Sequence, residues 1–233
     1  MELDLTKVKN IVFLTGAGVS QESGIKTFRD QNGLWENHSI EEVATPEAYE
    51  RDPALVHRFY NLRRAQLKEV DPNPAHKAIG HLSQYENFNI SVITQNVDDL
   101  HERGGVTKVL HMHGELRKIR HNHTGEIRYF EGQVEESEFK IWRPDIVWFG
   151  EAIKCSEHIP EVISQADLYI AVGTSSQVYP AAGLVSMASA QGIPTVEINL
   201  ERTNMSSSYN TTLLGKAGEI VPEFIEKHLK VKL

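Results

Sequence analysis

The sequence predicts a doubly wound α/β fold, a parallel sheet covered by helices on both faces, with a small second lobe formed by two insertions. Three observations predict it. Four short, β-branched, almost continuously apolar runs punctuate the chain, helical pattern fills most of the gaps between them, and two stretches break the alternation. The runs are Asn10–Thr15, Asn89–Thr94, Leu168–Val172 and Thr195–Asn199. A strand with one wet face would alternate apolar and polar residues; these do not, so they suit a sheet buried on both sides.

Between the strands, residues 56–70 contain few helix breakers, residues 74–85 follow a Pro-Asn-Pro punctuation, and residues 222–229 read as a closing helix with Pro222 in its first turn. Alternation of strand and helix places the core at about 1–35, 72–115 and 144–233. The interruptions are 36–71, mostly helical, and 116–143. In the second, residues 116–120 and 126–130 flank Asn122-His123-Thr124-Gly125, a turn cluster between two strand-like runs, and so predict a hairpin.

Composition bounds the function. A chain of 233 residues with 40% hydrophobic content can bury one large core, and a formal net charge of -8 argues against a broad basic surface for nucleic acid. Cys155 is the single cysteine, which excludes an intramolecular disulfide and any multi-cysteine metal site and suits a reducing compartment. The opening MELDLTKVKN lacks the apolar stretch of a signal peptide, and no segment approaches the ~20 apolar residues of a membrane-spanning helix. A cytoplasmic protein with no membrane or nucleic-acid partner is expected.

Chemistry first shows where the first strand ends, at Thr15-Gly16-Ala17-Gly18-Val19-Ser20. Glycines at a strand-to-helix turn let the backbone approach a diphosphate, and a helix N-terminus there would offer N–H groups to its charge. The same pattern also serves tight packing. The third glycine of the dehydrogenase fingerprint would fall at position 21, which is Gln21. Gln95, Asn96 and Asp98 lie just past the second strand, where open α/β sheets bind ligands, although an Asn- and Asp-rich turn can also simply close its own hydrogen bonds.

Four blocks together are distinctive. The glycine turn continues into Ser23-Gly24-Ile25, Thr27-Phe28-Arg29 and Gly33-Leu34-Trp35; then come Thr94-Gln95-Asn96-Val97-Asp98, His111-Met112-His113-Gly114, and Gly173-Thr174-Ser175 with Val178-Tyr179-Pro180. In identity, order and spacing these blocks resemble the sirtuins, over nearly the whole chain. The resemblance implies a Rossmann-like core and an enzyme that consumes NAD to remove acyl groups from lysine side chains of proteins or peptides, releasing nicotinamide and O-acyl-ADP-ribose. It implies cofactor contacts at Gly16, Ala17, Gly18, Ser20, Thr27, Phe28, Arg29, Trp35, Gln95, Asn96, Val97, Asp98, Gly173, Thr174, Ser175, Asn199, Leu200, Glu201 and Ala217. His113 becomes the general base, because a neutral imidazole accepts a proton near cellular pH, and Asn96 joins it as a catalytic residue. His111 is left a structural role.

Acyl preference rests on Tyr60 and Arg63, three apart on a helix and hence on one face. The Tyr-x-x-Arg pattern resembles the branch that removes succinyl, malonyl and glutaryl groups, in which a guanidinium grips a distal carboxylate; deacetylase activity is expected beside it. A solvated Arg63-Arg64 face beside an incidental tyrosine is the alternative. Residues Val147, Trp148, Phe149 and Gly150 resemble the segment that binds the substrate peptide, with Val147 and Trp148 expected to line the acyl-lysine tunnel. The chain departs from the family in its metal lobe, where sirtuins usually carry four cysteines: none lies between His113 and Trp148, and His121 and His123 supply at most two ligands. No structural zinc is expected. A non-catalytic NAD-sensing module and a mono-ADP-ribosyltransferase remain as alternative functions.

Overall fold

A computed structural model of the protein describes residues 5, 7–25, 38–175 and 177–233. Its strands are β1 (Asn10–Thr15), β2 (Asn89–Thr94), β3 (Val109–His111), β4 (Gly114–His121), β5 (Ile127–Tyr129), β6 (Trp142–Ile146), β7 (Leu168–Val172), β8 (Thr195–Asn199) and β9 (Thr211–Leu214). Its helices are α1 (Ile40–Val43), α2 (Pro46–Arg51), α3 (Pro53–Gln66), α4 (Pro74–Leu82), α5 (Leu100–Arg103), α6 (Ile159–Ser164), α7 (Leu184–Ala190) and α8 (Ala217–His228). Six strands form one sheet in the order β3-β2-β1-β7-β8-β9, every neighbouring pair parallel.

The apolar runs divide between the two faces of this sheet because successive side chains of a strand point to opposite sides. Ile11, Phe13, Val92, Ile170 and Val172 pack with Ala78, Ile79 and Leu82 of α4 and Val221, Phe224 and Ile225 of α8. Val12, Leu14, Ile93, Tyr169 and Ala171 pack on the other face with Ile159 and Ile163 of α6 and Leu184, Val185 and Ala188 of α7. Both faces are dry, which is why the runs do not alternate.

The insertions fold as helices α1–α3 and a three-stranded antiparallel sheet, β5-β4-β6. Lys118 pairs with Tyr129 and Arg120 with Ile127 across the hairpin. Behind it Ile119, Val134 and Trp142 are buried and packed by Phe130 and Phe139, a small apolar core of its own.

Several boundaries differ from the sequence reading. Helix α3 starts at Pro53 because the Asp52 carboxylate accepts the Leu55 N–H at 2.8 Å and proline suits the first helical position, and it ends at Gln66 rather than 70. Helix α8 starts at Ala217, so Pro222 lies inside it and not in its first turn. After Gly16 the chain makes two 3-10 turns, Ala17–Val19 and Gln21–Ser23, where a helix was expected. Strand β6 ends at Ile146, and Val147–Gly150 is irregular. Among the described residues, no helix is long and apolar enough to cross a membrane.

Candidate active site

Strand order reverses between β1 and β7: the chain runs outward from β1 through β2 to β3, then returns to β7 on the other side of β1. Loops leaving two such strands diverge and open a crevice at their C-terminal ends. Here both loops begin with glycine. The Gly16 N–H donates to the Val172 carbonyl at 3.0 Å and the Gly18 N–H to the Gly173 carbonyl at 2.9 Å. A Cβ on Gly18 would stand 2.7 Å from the Gly173 Cα, and one on Gly173, whose φ is +62°, 2.4 Å from the Val19 nitrogen. The glycines are therefore required by the crossing of two backbones, which together floor one cavity.

That cavity has a volume of about 500 Å³. On its wall the structure brings together Gly16, Ala17, Gly18, Gln95, Asn96, Val97, Asp98, His113, Gly173, Thr174, Ser175, Asn199, Leu200, Glu201 and Ala217, along with Tyr60, Arg63, Val147, Phe149 and Gly150. Cofactor and substrate candidates from eight separate segments thus converge. Thr27, Phe28, Arg29 and Trp35 lie outside the described residues.

Two expected wall residues stand behind the wall instead. Ser20 is fully buried; its Oγ donates to Asp98 Oδ2 at 3.0 Å and accepts from Asn96 Nδ2 at 3.0 Å, so it orients both neighbours. Trp148 is 2% exposed and does not line the cavity. Its neighbours Val147 and Phe149 turn toward the cavity, whereas the indole packs inward against Tyr49, with ring centroids 5.2 Å apart. An apolar ring of that size is more stable in the core than on a wet wall. Ile25, quoted in the glycine-turn block but not as a contact, also lines the cavity, as do Ala44, Ile153 and Gly215, which carry no chemical signature by spacing.

The two neighbouring histidines differ in their hydrogen bonds. His113 Nδ1 lies 3.0 Å from the Gln95 carbonyl. A carbonyl only accepts, so Nδ1 carries the proton and neutral His113 keeps its lone pair on Nε2. Burial pushes its pKa below the usual histidine range, against the backbone bond to Gln95, so the ring is neutral near pH 7. His111 instead has an acceptor at each nitrogen, the Asn96 carbonyl at 3.2 Å and Glu102 Oε1 at 2.6 Å. Burial disfavours its charge, but the bond to Glu102 and the surrounding carboxylates outweigh this and raise its pKa. Both ring nitrogens of His111 are thus engaged, and the side chain does not line the cavity.

Gly114 fixes the position of His113. At φ +84° it adopts a conformation unsuited to other residues, and a Cβ there would fall 2.0 Å from the Asp145 carbonyl, where β4 meets β6. Beside it, Asp98 is raised to about 6 by burial, partly offset by the Leu100 N–H and the Ser20 hydroxyl it accepts. Thr174 ties the far wall together, with Gln95 Nε2 donating to its Oγ1 at 2.9 Å and Asn199 Nδ2 to its carbonyl at 2.7 Å. Toward the small lobe, Tyr60 and Arg63 meet the cavity from α3, and Arg63 Nη1 donates to Gln66 Oε1 at 3.0 Å. Arg64 does not share a solvated face with Arg63: it is 2% exposed, its Nε donates to the Leu116 carbonyl at 2.8 Å, and its guanidinium lies 5.2 Å from the Phe130 ring centroid. Among the described residues, no group of three or more His, Cys, Asp or Glu side chains is placed to hold a metal ion.

Comparison with known proteins agrees with this architecture. The Sir2 family model matches residues 16–180. The chain is 47% identical over 234 residues to the NAD-dependent protein deacylase of Pasteurella multocida (strain Pm70), spanning 97% of this chain and 100% of that one. It is 48% identical over 239 residues to the NAD-dependent protein deacylase of Bdellovibrio bacteriovorus, spanning 98% and 100%. Its fold is similar to the crystal structure of a Sir2 homolog–NAD complex, with a TM-score of 0.88 at 36% identity over 97% of this chain and 92% of that one. The crossed glycine loops, the cavity they floor and these full-length likenesses lead to one conclusion: the chain belongs to the Sir2 family.

Proposed function

We propose that this protein is an NAD-dependent protein-lysine deacylase that prefers succinyl, malonyl and glutaryl groups and retains deacetylase activity. The observation that carries the deacylase reading is His113, neutral, with Nε2 as its available acceptor, on the wall of a cavity at the switch point of a doubly wound sheet. The donor set fits NAD. The crossed glycine loops provide a floor with few side chains for a diphosphate, Asn199, Leu200, Glu201 and Ala217 suit the adenosine end, and Gln95, Asn96 and Asp98 suit the nicotinamide riboside end. NAD supplies an activated ribose, because nicotinamide leaves as a neutral ring.

The chain's own groups then have distinct tasks. Asp98 and Asn96, both held by Ser20, orient the amide of the leaving ring, and His113 takes a proton at Nε2 from a ribose hydroxyl. Val147, Phe149 and Gly150 hold the acylated peptide as a backbone-pairing segment, so sequence selectivity among proteins is loose. Thr27, Phe28, Arg29 and Trp35 belong to the same reading as cofactor contacts. The small lobe is held by its apolar core without zinc, and the protein is cytoplasmic.

The acidic-acyl preference is supported by Tyr60 and Arg63, which line the cavity although they are 0% and 6% exposed. A distal carboxylate reaching them leaves water, so its pairing with the guanidinium decides whether it binds. Arg63→Met should lower kcat/KM for a succinyl-lysine peptide about ten- to hundredfold, mainly through KM, as expected for a charge-assisted hydrogen bond of roughly 1.5–3 kcal/mol. An acetyl-lysine peptide has no carboxylate to lose, and its kcat/KM should change far less. Equal losses on both peptides would make Arg63 a structural residue and remove the preference.

A further inference from the structure

We propose that Trp148 is a positioning residue for acyl selectivity: its indole N–H fixes the Tyr60 hydroxyl so that the phenol's single proton is given to the carboxylate of an acidic acyl group. The inference rests on the acidic-acyl reading of Tyr60 and Arg63. Trp148 Nε1 lies 3.0 Å from the Tyr60 hydroxyl oxygen, and both side chains are buried. An indole N–H can only donate, so the phenol oxygen must be the acceptor in this bond. The hydroxyl proton is thereby turned away from the indole. Tyr60 and Arg63 both line the cavity, so a carboxylate drawn to the guanidinium comes to the phenol with the indole side of its hydroxyl already occupied. Without the indole, a phenol can rotate its proton toward other acceptors, and part of the bond to substrate is spent on reorienting it.

The indole is itself held on three sides. The Arg143 guanidinium stacks 3.5 Å from the Trp148 ring centroid. The same guanidinium grips Glu151 with two bonds, Nη1 to Oε1 at 2.7 Å and Nη2 to Oε2 at 2.8 Å. Glu151 Oε2 in turn accepts the Trp148 backbone N–H at 2.8 Å, and Tyr49 packs against the ring. A ring clamped by a cation, a backbone bond and an aromatic neighbour has few rotamers, which is what a donor needs if it is to set another group's proton. The arrangement also ties selectivity to the loop that binds peptide, because Val147 and Phe149 on the cavity wall flank the same residue.

The test compares Trp148→Phe, Tyr60→Phe, the double variant and Arg63→Met on matched succinyl- and acetyl-lysine peptides with saturating NAD. The readout is the ratio of the two kcat/KM values in one preparation, in which the fraction of folded enzyme cancels even if a variant is less stable. Trp148→Phe should lower the succinyl-to-acetyl ratio about three- to tenfold through the succinyl KM, as expected for one neutral hydrogen bond. Tyr60→Phe should lower it at least as far, and adding Trp148→Phe to Tyr60→Phe should lower it no further, because the indole acts only through the phenol. If Trp148→Phe lowers both activities equally while Arg63→Met still lowers the ratio, the tryptophan is structural and the proposal is overturned with the acidic-acyl reading intact. Multiplying effects in the double variant would overturn it too, since the two residues would act independently. A ratio unmoved by Arg63→Met overturns the underlying reading, and the proposal with it.

Discussion

At the scale of single residues, His111 and His113 are two positions apart, equally exposed to mutation, and opposite in chemistry. The difference lies in their partners: an acceptor at each nitrogen favours the charged form of His111, and one carbonyl leaves His113 neutral with Nε2 available. His113→Ala should abolish peptide deacylation and leave NAD binding by calorimetry within about threefold, because the cavity floor is untouched. Deacylation unchanged in that variant would remove His113 as the base. Since burial lowers the His113 pKa, the acid limb of kcat/KM should fall below pH 6.5. Arg64 offers a contrast with Arg63. Burial lowers its pKa to about 10, so it remains charged at neutral pH, and it donates to the Leu116 and Gly132 carbonyls and to Asn61 Oδ1. Arg64→Met leaves those acceptors without their donor, and thermal melting should show a loss on the order of 3 kcal/mol. Its effect on acetyl and succinyl peptides should be equal, in contrast to the selective loss expected of Arg63→Met.

At the scale of elements, the small lobe poses the sharpest physical question, because a three-stranded sheet with short strands is marginal by itself. Ile119, Val134 and Trp142 give it a core, and the Arg128 guanidinium covers the Trp142 ring at 4.0 Å. Tyr49 of α2 anchors the lobe from below by donating to the Trp142 carbonyl at 3.1 Å, and Asn122 Nδ2 donates to the Tyr49 hydroxyl at 2.9 Å. His121 is occupied as a turn residue: its Nδ1 accepts the backbone N–H groups of His123 and Thr124, each at 3.2 Å. Incubation with a strong chelator should therefore leave the melting temperature unchanged, and metal analysis should find well under one zinc per chain. Trp142→Ala should cost about 3–5 kcal/mol by opening the lobe's core. Stoichiometric zinc, with melting that collapses on chelation, would show that a metal carries the lobe.

At the scale of the whole molecule, the buried histidines link stability to pH. Burial lowers His57 and His76 to about 4, and His101 also falls well below its usual range. Between pH 6.5 and about 4 the unfolded chain binds protons at His57 and His76 that the folded chain does not, so stability rises with pH across that window and is lost as pH falls through it. A shift of that size is on the order of 3 kcal/mol for each residue. Asp98 works the other way: raised to about 6, it holds a proton in the folded chain between pH 3.8 and 6 and recovers some stability on acidification. Three histidines outweigh one carboxyl, so urea midpoints should fall steadily from pH 6.5 toward 4.5. His57→Phe should flatten part of that slope; an unchanged slope would mean that His57 is protonated in the folded state. At the other end, the raised pKa of His111 contributes stability present at pH 6.5 and lost as pH climbs through it.

How much of this was legible without coordinates follows from what each feature depends on. Strands β1, β2, β7 and β8 were readable to the residue because burial on both faces leaves an uninterrupted apolar run, a local property of the chain. The edge strands β3 and β9 were not, since three or four residues carry no pattern and become strands only through the neighbours they pair with. Helix α8 was misjudged at its start because proline weakens a helix interior locally, a cost that packing of Val221, Phe224 and Ile225 against the sheet outweighs. The sequence by itself determined the doubly wound sheet, the glycine loops and the residue types available to the cavity, because periodicity and residue type are written in the chain. Tertiary structure alone decided that His113 keeps Nε2 as its acceptor, that Arg64 is buried while Arg63 meets the cavity, and that Trp148 stands behind Tyr60 rather than on the cavity wall. Those outcomes depend on which distant groups arrive within about 3 Å, the reach of a hydrogen bond, and no spacing along the chain encodes that distance.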